Sequence, residues 1–292
     1  MPRKLFEAGT ALAISILLVV SMGCESQSPI LGKKPLKRVY LAENDADELR
    51  IWTDIRAKAD VLIHIDSADD LGIFPKGIMD SIEAAAKLIH RGDLMAVGRI
   101  ASFVENGSLA TAGYMAGMYD RVIWVIPAAR PTGEEKPETF RKFFIENRRF
   151  PPAAVGDFAK KDGVVSGTLA GIPVEIARLE ELELGPKEKA ILDIDLSYFQ
   201  VLSTSRAGYK TGIESLLSFL RSLAGAGLRV RLVTVNLSTQ ANDVPMDLRY
   251  YGRVIAEALA RPELLEPPLP EKWRLIAQAE DSMRAGNYAS AA

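Results

Sequence analysis

The sequence predicts an α/β fold in three layers, a mainly parallel sheet between two layers of helices, with a short helical extension at the C-terminus. Two observations carry this. Short apolar runs of strand length recur along the chain, and segments with helical spacing separate them.

In order, Val61-Leu62-Ile63-His64-Ile65-Asp66 reads as a buried strand, and Ile78 to Ile89 has helical spacing. Arg121 to Ile126 is a strand stopped by Pro127, whose ring removes a backbone donor. Ile191 to Leu196 and Val230 to Leu237 supply two more strands. Ile213 to Leu223 and Leu248 to Leu259 read as helices. Residues 128–162 break the rhythm with charge and proline, and read as an insertion holding one helix near Thr139 to Asn147. Gly113 and Gly117, four apart in an apolar stretch, read as places of close helix packing.

The termini read differently. Arg3 and Lys4 precede an apolar run from Ala11 to Met22 that ends at Gly23-Cys24. That run is about a dozen residues where a spanning helix needs roughly 20, so residues 1–23 read as an export signal. Cys24 is the single cysteine of the chain, which excludes an intrachain disulfide or a thiolate metal cluster. Residues 24–37, largely polar with Pro29, Gly32 and Pro35, read as a tether. Lys33, Lys34, Lys37 and Arg38 within it are either a solvated linker or a contact with anionic headgroups. Residues 38–262 form the main domain and 263–270 a proline-rich linker. Residues 271–292 read as a helix, a Gly286-Asn287-Tyr288 turn and the start of a second helix. A net charge of −2 gives no basic excess to neutralise phosphates, so nucleic acid is not an expected partner.

Chemistry is expected beyond the carboxyl ends of the parallel strands. Two strands end in carboxylates there: His64-Ile65-Asp66-Ser67-Ala68-Asp69-Asp70, and Asp193-Ile194-Asp195-Leu196-Ser197. Alternation puts His64 with Asp66, and Asp193 with Asp195, on one face each. Aspartates inside an apolar strand are costly unless paired or bound to a cation. They either hold a hard metal, or cap the next helix and meet Arg or Lys. Gly208-Tyr209-Lys210-Thr211 lacks the glycines of a phosphate loop, and Ser205 and Ser238 have no histidine base in any recognisable pattern.

Several of these segments resemble known families. Gly23-Cys24 followed by Glu25-Ser26-Gln27-Ser28 is similar to a bacterial lipoprotein signal, although Ser21 stands where a leucine is usual. That resemblance implies lipidation at Cys24 and a membrane-anchored place in the cell envelope, on the periplasmic or outer-membrane face. The alternative is an ordinary export signal with an incidental cysteine. The C-terminal segment is similar to the first half of a tetratricopeptide repeat, which cannot bury its own apolar face. It packs on the domain or meets an envelope partner. His64 to Leu71, then Val104-Glu105-Asn106, Asp120 to Val125, Leu192 to Phe199 and Val233 to Ser238 resemble, in order, the arginase/deacetylase superfamily, in the branch that includes peptide arginases.

The superfamily resemblance covers roughly residues 38–262. It implies a ureohydrolase-like fold and one or two divalent metals, typically manganese, that activate water against a guanidinium or amide carbon. Asp66, Asp70, Asp193 and Asp195 match its aspartate ligands. The histidine between the loop aspartates is Ala68, an aspartate after the second pair is Ser197, and Asp45 stands in for the upstream histidine. His64 matches a histidine of the family and is expected in the core or orienting a ligand. His90, beside Arg91-Gly92, reads as a surface residue. Four carboxylates could then hold one hard cation, Mn or Mg, or none if the site is dead, and a dinuclear centre is not expected. The leading expectation is a non-catalytic binding or structural module. The alternatives are a single-metal hydrolase of a guanidino or amide group, or an interaction protein working through 271–292.

Overall fold

The computed structural model describes residues 28–74, 107–127, 136–148, 150–199, 212–237 and 248–284, with single positions at 77, 80, 81, 84, 87 and 104. Its strands are β1 (Val39–Ala42), β2 (Val61–Ile65), β3 (Arg121–Val125), β4 (Ala159–Lys161), β5 (Val164–Leu169), β6 (Ile172–Ala177), β7 (Ala190–Asp195) and β8 (Val230–Asn236). They form one eight-stranded sheet in the order β1-β8-β7-β2-β3-β6-β5-β4. The first six in that order are parallel; β5 and β4 extend the sheet antiparallel. The described helices are α1 (Asp45–Asp54), α2 (Leu109–Met115), α3 (Pro137–Lys142), α4 (Ile213–Gly225), α5 (Arg249–Ala260) and α6 (Glu271–Arg284). α3 runs on into a π-helical turn, Phe143–Asn147.

Two apolar cores, one on each sheet face, make the three layers. Ile63, Ile65, Leu192, Ile194, Val233 and Val235 pack with residues of α4 and α5. Leu62, Val122, Trp124, Ile191 and Leu232 pack with Leu49 and Trp52 of α1 and with α2. Strands buried on both faces read as continuous apolar runs, which is why β2, β3, β7 and β8 stand out in the sequence.

The structure shifts several expectations. β1 and the β4–β6 set do not show in the sequence: β1 and β4 are short, and β5 and β6 carry Ser166, Thr168 and Pro173 on exposed positions. Position 162 falls in the turn between β4 and β5, so the sheet already begins inside the 128–162 segment. Gly113 admits the Tyr119 ring rather than a second helix: a Cβ there would lie 2.4 Å from the Tyr119 hydroxyl. Gly117 takes φ +68 in the turn after α2, a conformation glycine reaches without strain. The tether is docked from Ser28 onward, with Leu31 and Leu36 buried, Leu31 N–H donating to Leu228 and Leu36 N–H to Leu259.

The C-terminal helix packs on the main domain. Trp273 is 1% exposed within the α4/α5 core, and Glu280 accepts from Ile213 N–H at 2.8 Å at the start of α4. Tyr250 donates to the same carboxylate. Among the described residues no helix is long and apolar enough to cross a membrane. Residues 1–23, Cys24, most of 78–89, His90, Glu105, Asn106, Ser205, 208–211, Ser238 and 286–288 lie outside the described residues.

Candidate metal centre

Strand register builds the site. His64 of β2 pairs with Asp193 of β7, which pairs with Thr234 of β8, giving one polar row across three strands. Two residues on, on the same face, Asp195 pairs with Asn236, and Asp66 follows the end of β2. The row before them, Leu62, Ile191 and Leu232, is apolar core. Polarity thus begins abruptly at the carboxyl ends of the central strands.

α1 covers these rows with its first turns. Asn44 caps the helix through Asp47 N–H at 3.0 Å. Asp45, Glu48, Leu49 and Trp52 form its buried face, spaced as an amphipathic helix requires. Trp52 Nε1–H donates to Thr234 Oγ1 at 3.3 Å, and Thr234 donates to Asp193 Oδ1 at 3.1 Å. The Asn236 amide donates to Asp45 Oδ1 at 2.9 Å and to Glu48 Oε2 at 3.0 Å. Gly107 N–H donates to Asp45 Oδ2 at 3.3 Å.

The loop after β2 closes the site. Asp69 takes a two-pronged contact from Arg148, Nε at 2.9 Å and a terminal nitrogen at 3.0 Å, and accepts from Leu71 N–H at 3.0 Å. Those bonds hold Asp70 at φ +47, a left-handed conformation that disfavours a side-chain-bearing residue. Its carbonyl accepts from Ala110 N–H at 3.0 Å, which aims the Asp70 carboxylate inward.

His64 is central. Its Nδ1 lies 2.9 Å from Asp193 Oδ2. Its Nε2 faces Asp66 Oδ2 at 3.4 Å and Asp70 Oδ2 at 3.6 Å. Neither Nε2 nor Asp66 Oδ2 has a hydrogen-bond partner among the described residues, and both residues are at most 1% exposed. The other Asp66 oxygen accepts from the Ser197 hydroxyl. Ser197 N–H donates to Asp195 Oδ1 at 2.6 Å.

Six buried carboxylates, those of Asp45, Glu48, Asp66, Asp70, Asp193 and Asp195, thus surround one imidazole. Burial pushes Asp45 up to about 6, helped by the Asp193 charge. Burial likewise raises Glu48 well above the carboxylate range with Asp193, Asp70 with Asp45, and Asp195 with Asp66. Burial would discharge His64, but Asp193, Asp66 and Asp70 overcome it and hold its pKa well up. Asp66 goes the other way. Burial opposes its ionisation, yet His64 and Ser197 keep it below its ordinary value.

The residues fit a metal ion. Ligand atoms of His64, Asp66 and Asp70 all lie within 4.8 Å of one another. Bonds of about 2.1 Å put neighbouring ligand atoms about 3.0 Å apart in octahedral and about 3.4 Å in tetrahedral geometry. The 3.4 and 3.6 Å separations from Nε2 are close to those edges. An orphaned nitrogen facing an orphaned carboxylate oxygen is what a shared cation, or a proton on the imidazole, would satisfy.

Of the sequence-predicted residues, Asp66, Asp70, Asp193, Asp195 and Asp45 all come together here, and His64 joins them. His64 turns its free nitrogen toward the aspartates, whereas Asp193 engages His64 Nδ1 and Thr234. Glu48 was not anticipated. An acid at i+3 from Asp45, on the helix face that also carries Leu49 and Trp52, is the signal that marks it. No known family model and no curated protein matches this chain.

Proposed function

We propose that this protein is an envelope lipoprotein, anchored through Cys24, whose arginase-like domain holds one divalent cation and serves as a binding or structural module rather than a hydrolase. The observation that carries the cation is the unpartnered pair, His64 Nε2 and Asp66 Oδ2, facing each other within a buried acidic site. His64 Nε2, Asp66 Oδ2 and Asp70 Oδ2 are the proposed ligands. Asp193 orients the imidazole through Nδ1, an arrangement common behind metal-binding histidines. One nitrogen with carboxylates favours Mn over Mg, because imidazole suits transition metals.

A single ion is favoured over two. Ala68 offers no ligand where the family resemblance calls for histidine, and Ser197, in place of an aspartate, occupies the second oxygen of Asp66. A bound cation would offset the repulsion among the carboxylates and join the ends of β2 and β7 to the following loop. Asp66, Asp70, Asp193 and Asp195 are all at most 4% exposed, which supports a structural cation over a site open to substrate.

The second reading, a single-metal hydrolase of a guanidino or amide group, is favoured by one observation. Asp45 and Glu48 add two carboxyl groups to a site that a structural ion would not require. There the cation would polarise the scissile group, and those carboxyls would exchange protons with water and leaving amine.

The test is metal content and calorimetric titration of the full chain in neutral detergent, with Mn and Mg, on wild type, His64→Ala and Asp66→Asn. Binding of one Mn, tighter than Mg and lost in both variants, is the expected result. Wild-type protein that binds neither ion overturns the cation. Turnover of guanidino or amide compounds by the Mn-loaded chain, abolished by Glu48→Gln, would replace the module with the hydrolase. Intact mass reports the lipid, which Cys24→Ser removes, releasing the protein from the membrane fraction.

A further inference from the structure

The opposite end of the sheet carries a second site of opposite charge. A cavity of about 340 Å³ opens where the tether crosses the amino ends of β1 and β8. Lys34, Lys37, Arg38 and Arg231 line it, and none of its lining residues is acidic. None of these four cations makes an ion pair with a described residue. Backbone bonds fix their placement: Pro29 accepts from Val230 N–H at 3.0 Å, and Arg38 from Val233 N–H at 2.9 Å.

Ser28 also lines the cavity. It is 6% exposed, and its hydroxyl has no hydrogen-bond partner among the described residues. A buried hydroxyl left unsatisfied among the described residues is unfavourable; Lys34, Lys37 and Arg38 are exposed and solvated, and one anion with several acceptor oxygens would accept from that hydroxyl and from these cations together. Phosphate has that chemistry. Two of the cations are arginines, whose planar fork matches phosphate oxygens in pairs.

The geometry points to a binding site for the phosphate of an anionic phospholipid headgroup, formed by Ser28, Lys34, Lys37, Arg38 and Arg231. The choice of a membrane lipid as its source rests on the proposed anchor. Four residues of chain from Cys24 to Ser28 reach at most about 14 Å, so a lipidated Cys24 keeps this cavity near the headgroup layer. Basic residues near an anionic surface each contribute roughly fivefold in affinity. One anchor chain system with a basic patch holds a protein more firmly than the lipid alone.

The site is tested by lysine acetylation read by mass spectrometry, on the full chain in neutral-detergent micelles. The additions are short-chain phosphatidylglycerol, short-chain phosphatidylcholine and inorganic phosphate. Lys33, exposed and outside the cavity lining, is the internal control. Phosphatidylglycerol should slow labelling of Lys34 and Lys37 but not Lys33, with phosphatidylcholine and phosphate much weaker. The double variant Arg38→Ser, Arg231→Ser should need about thirtyfold more phosphatidylglycerol for the same protection. Equal protection by inorganic phosphate would overturn the membrane lipid as the source. Protection that persists unchanged in the double variant, or none with any addition, overturns the site. Intact mass of the same sample reports the Cys24 lipid separately. Protection without that lipid keeps the anion site and removes the anchor argument, whereas lipid without protection counts against the site itself.

Discussion

The two faces of β2 and β7 are equally buried and do opposite things. On one face Ile63, Ile65, Leu192 and Ile194 join an apolar cluster with residues of α4 and α5. On the other, one residue along, His64, Asp66, Asp193 and Asp195 meet the acidic first turns of α1. Ile63 is 0% and His64 1% exposed, so burial does not separate them. The apolar face gains free energy by leaving water whatever the solution holds. The polar face loses it unless protons or a cation neutralise the carboxylates. A strand period of two lets one backbone serve as core and as site, and the site face draws on the stability that the core face supplies.

The comparison breaks most sharply on the core side. Leu192→Ala removes a fully buried side chain and should cost about 2–5 kcal/mol in denaturant unfolding. The cost should be the same with EDTA or with saturating Mn. A cost that depends on Mn would mean that the two faces are not independent.

Next in size is pH. A carboxyl whose pKa is raised on folding contributes stability that is fully present below its unfolded value and is lost as pH rises through its folded value. For Asp45, raised from 3.8 to about 6, that loss is about 3 kcal/mol between pH 4 and 7. Glu48, Asp70 and Asp195, all raised, act in the same direction. His64, also raised, adds stability that persists below its unfolded value and disappears only as pH climbs past its elevated folded one. Asp66 opposes them: its contribution is present above the ordinary carboxylate pKa and lost as pH falls. In EDTA the chain should therefore unfold at a lower temperature at pH 7.5 than at pH 5. A flat profile would show that the site is not strained by its own charge.

Much of this was legible in the sequence, for physical reasons that differ by residue. Asp193 and Asp195 stand out because acids interrupt an apolar run. β2, β3, β7 and β8 stand out because both of their faces are core. β5 does not, since Ser166 and Thr168 look outward from an antiparallel edge and blur its apolar pattern. That His64 turns Nε2 toward Asp66 and Asp70 while Asp193 takes Nδ1 was not legible. It depends on which ring nitrogen meets which carboxylate, and that is set by the β2–β7 register rather than by either segment alone. Asp45 was readable only by alignment, and Glu48 only by treating an acid on a buried helix face as a signal.

Metal should erase part of the difference between the faces. At a free Mn concentration of 100 times its dissociation constant, one bound ion stabilises by about 2.7 kcal/mol. Asp70→Asn should abolish that gain while raising EDTA stability at pH 7.5, since burial and the nearby Asp45 disfavour the Asp70 charge there. Thermal unfolding of the two proteins, with and without Mn, gives both signs in one experiment. Asp70→Asn that destabilises in EDTA as well would place Asp70 among purely structural aspartates.

The smallest effect concerns Ser197, which caps one oxygen of Asp66 and lies 2.8 Å from the Ser67 hydroxyl. Ser197→Ala removes one charge-assisted hydrogen bond and should cost about 1–2 kcal/mol. Mn affinity should fall less than tenfold, because the oxygen that faces His64 is the other one, Oδ2. Loss of the hydroxyl also removes one of the three groups holding the Asp66 pKa down, beside His64 and the Ala68 backbone, so the pH below which Mn is released should move upward. Complete loss of Mn binding in Ser197→Ala would instead make the hydroxyl a ligand. The ion would then sit on the Asp66 Oδ1 side, away from His64, and the imidazole would return to the supporting place that its position inside the strand first implied.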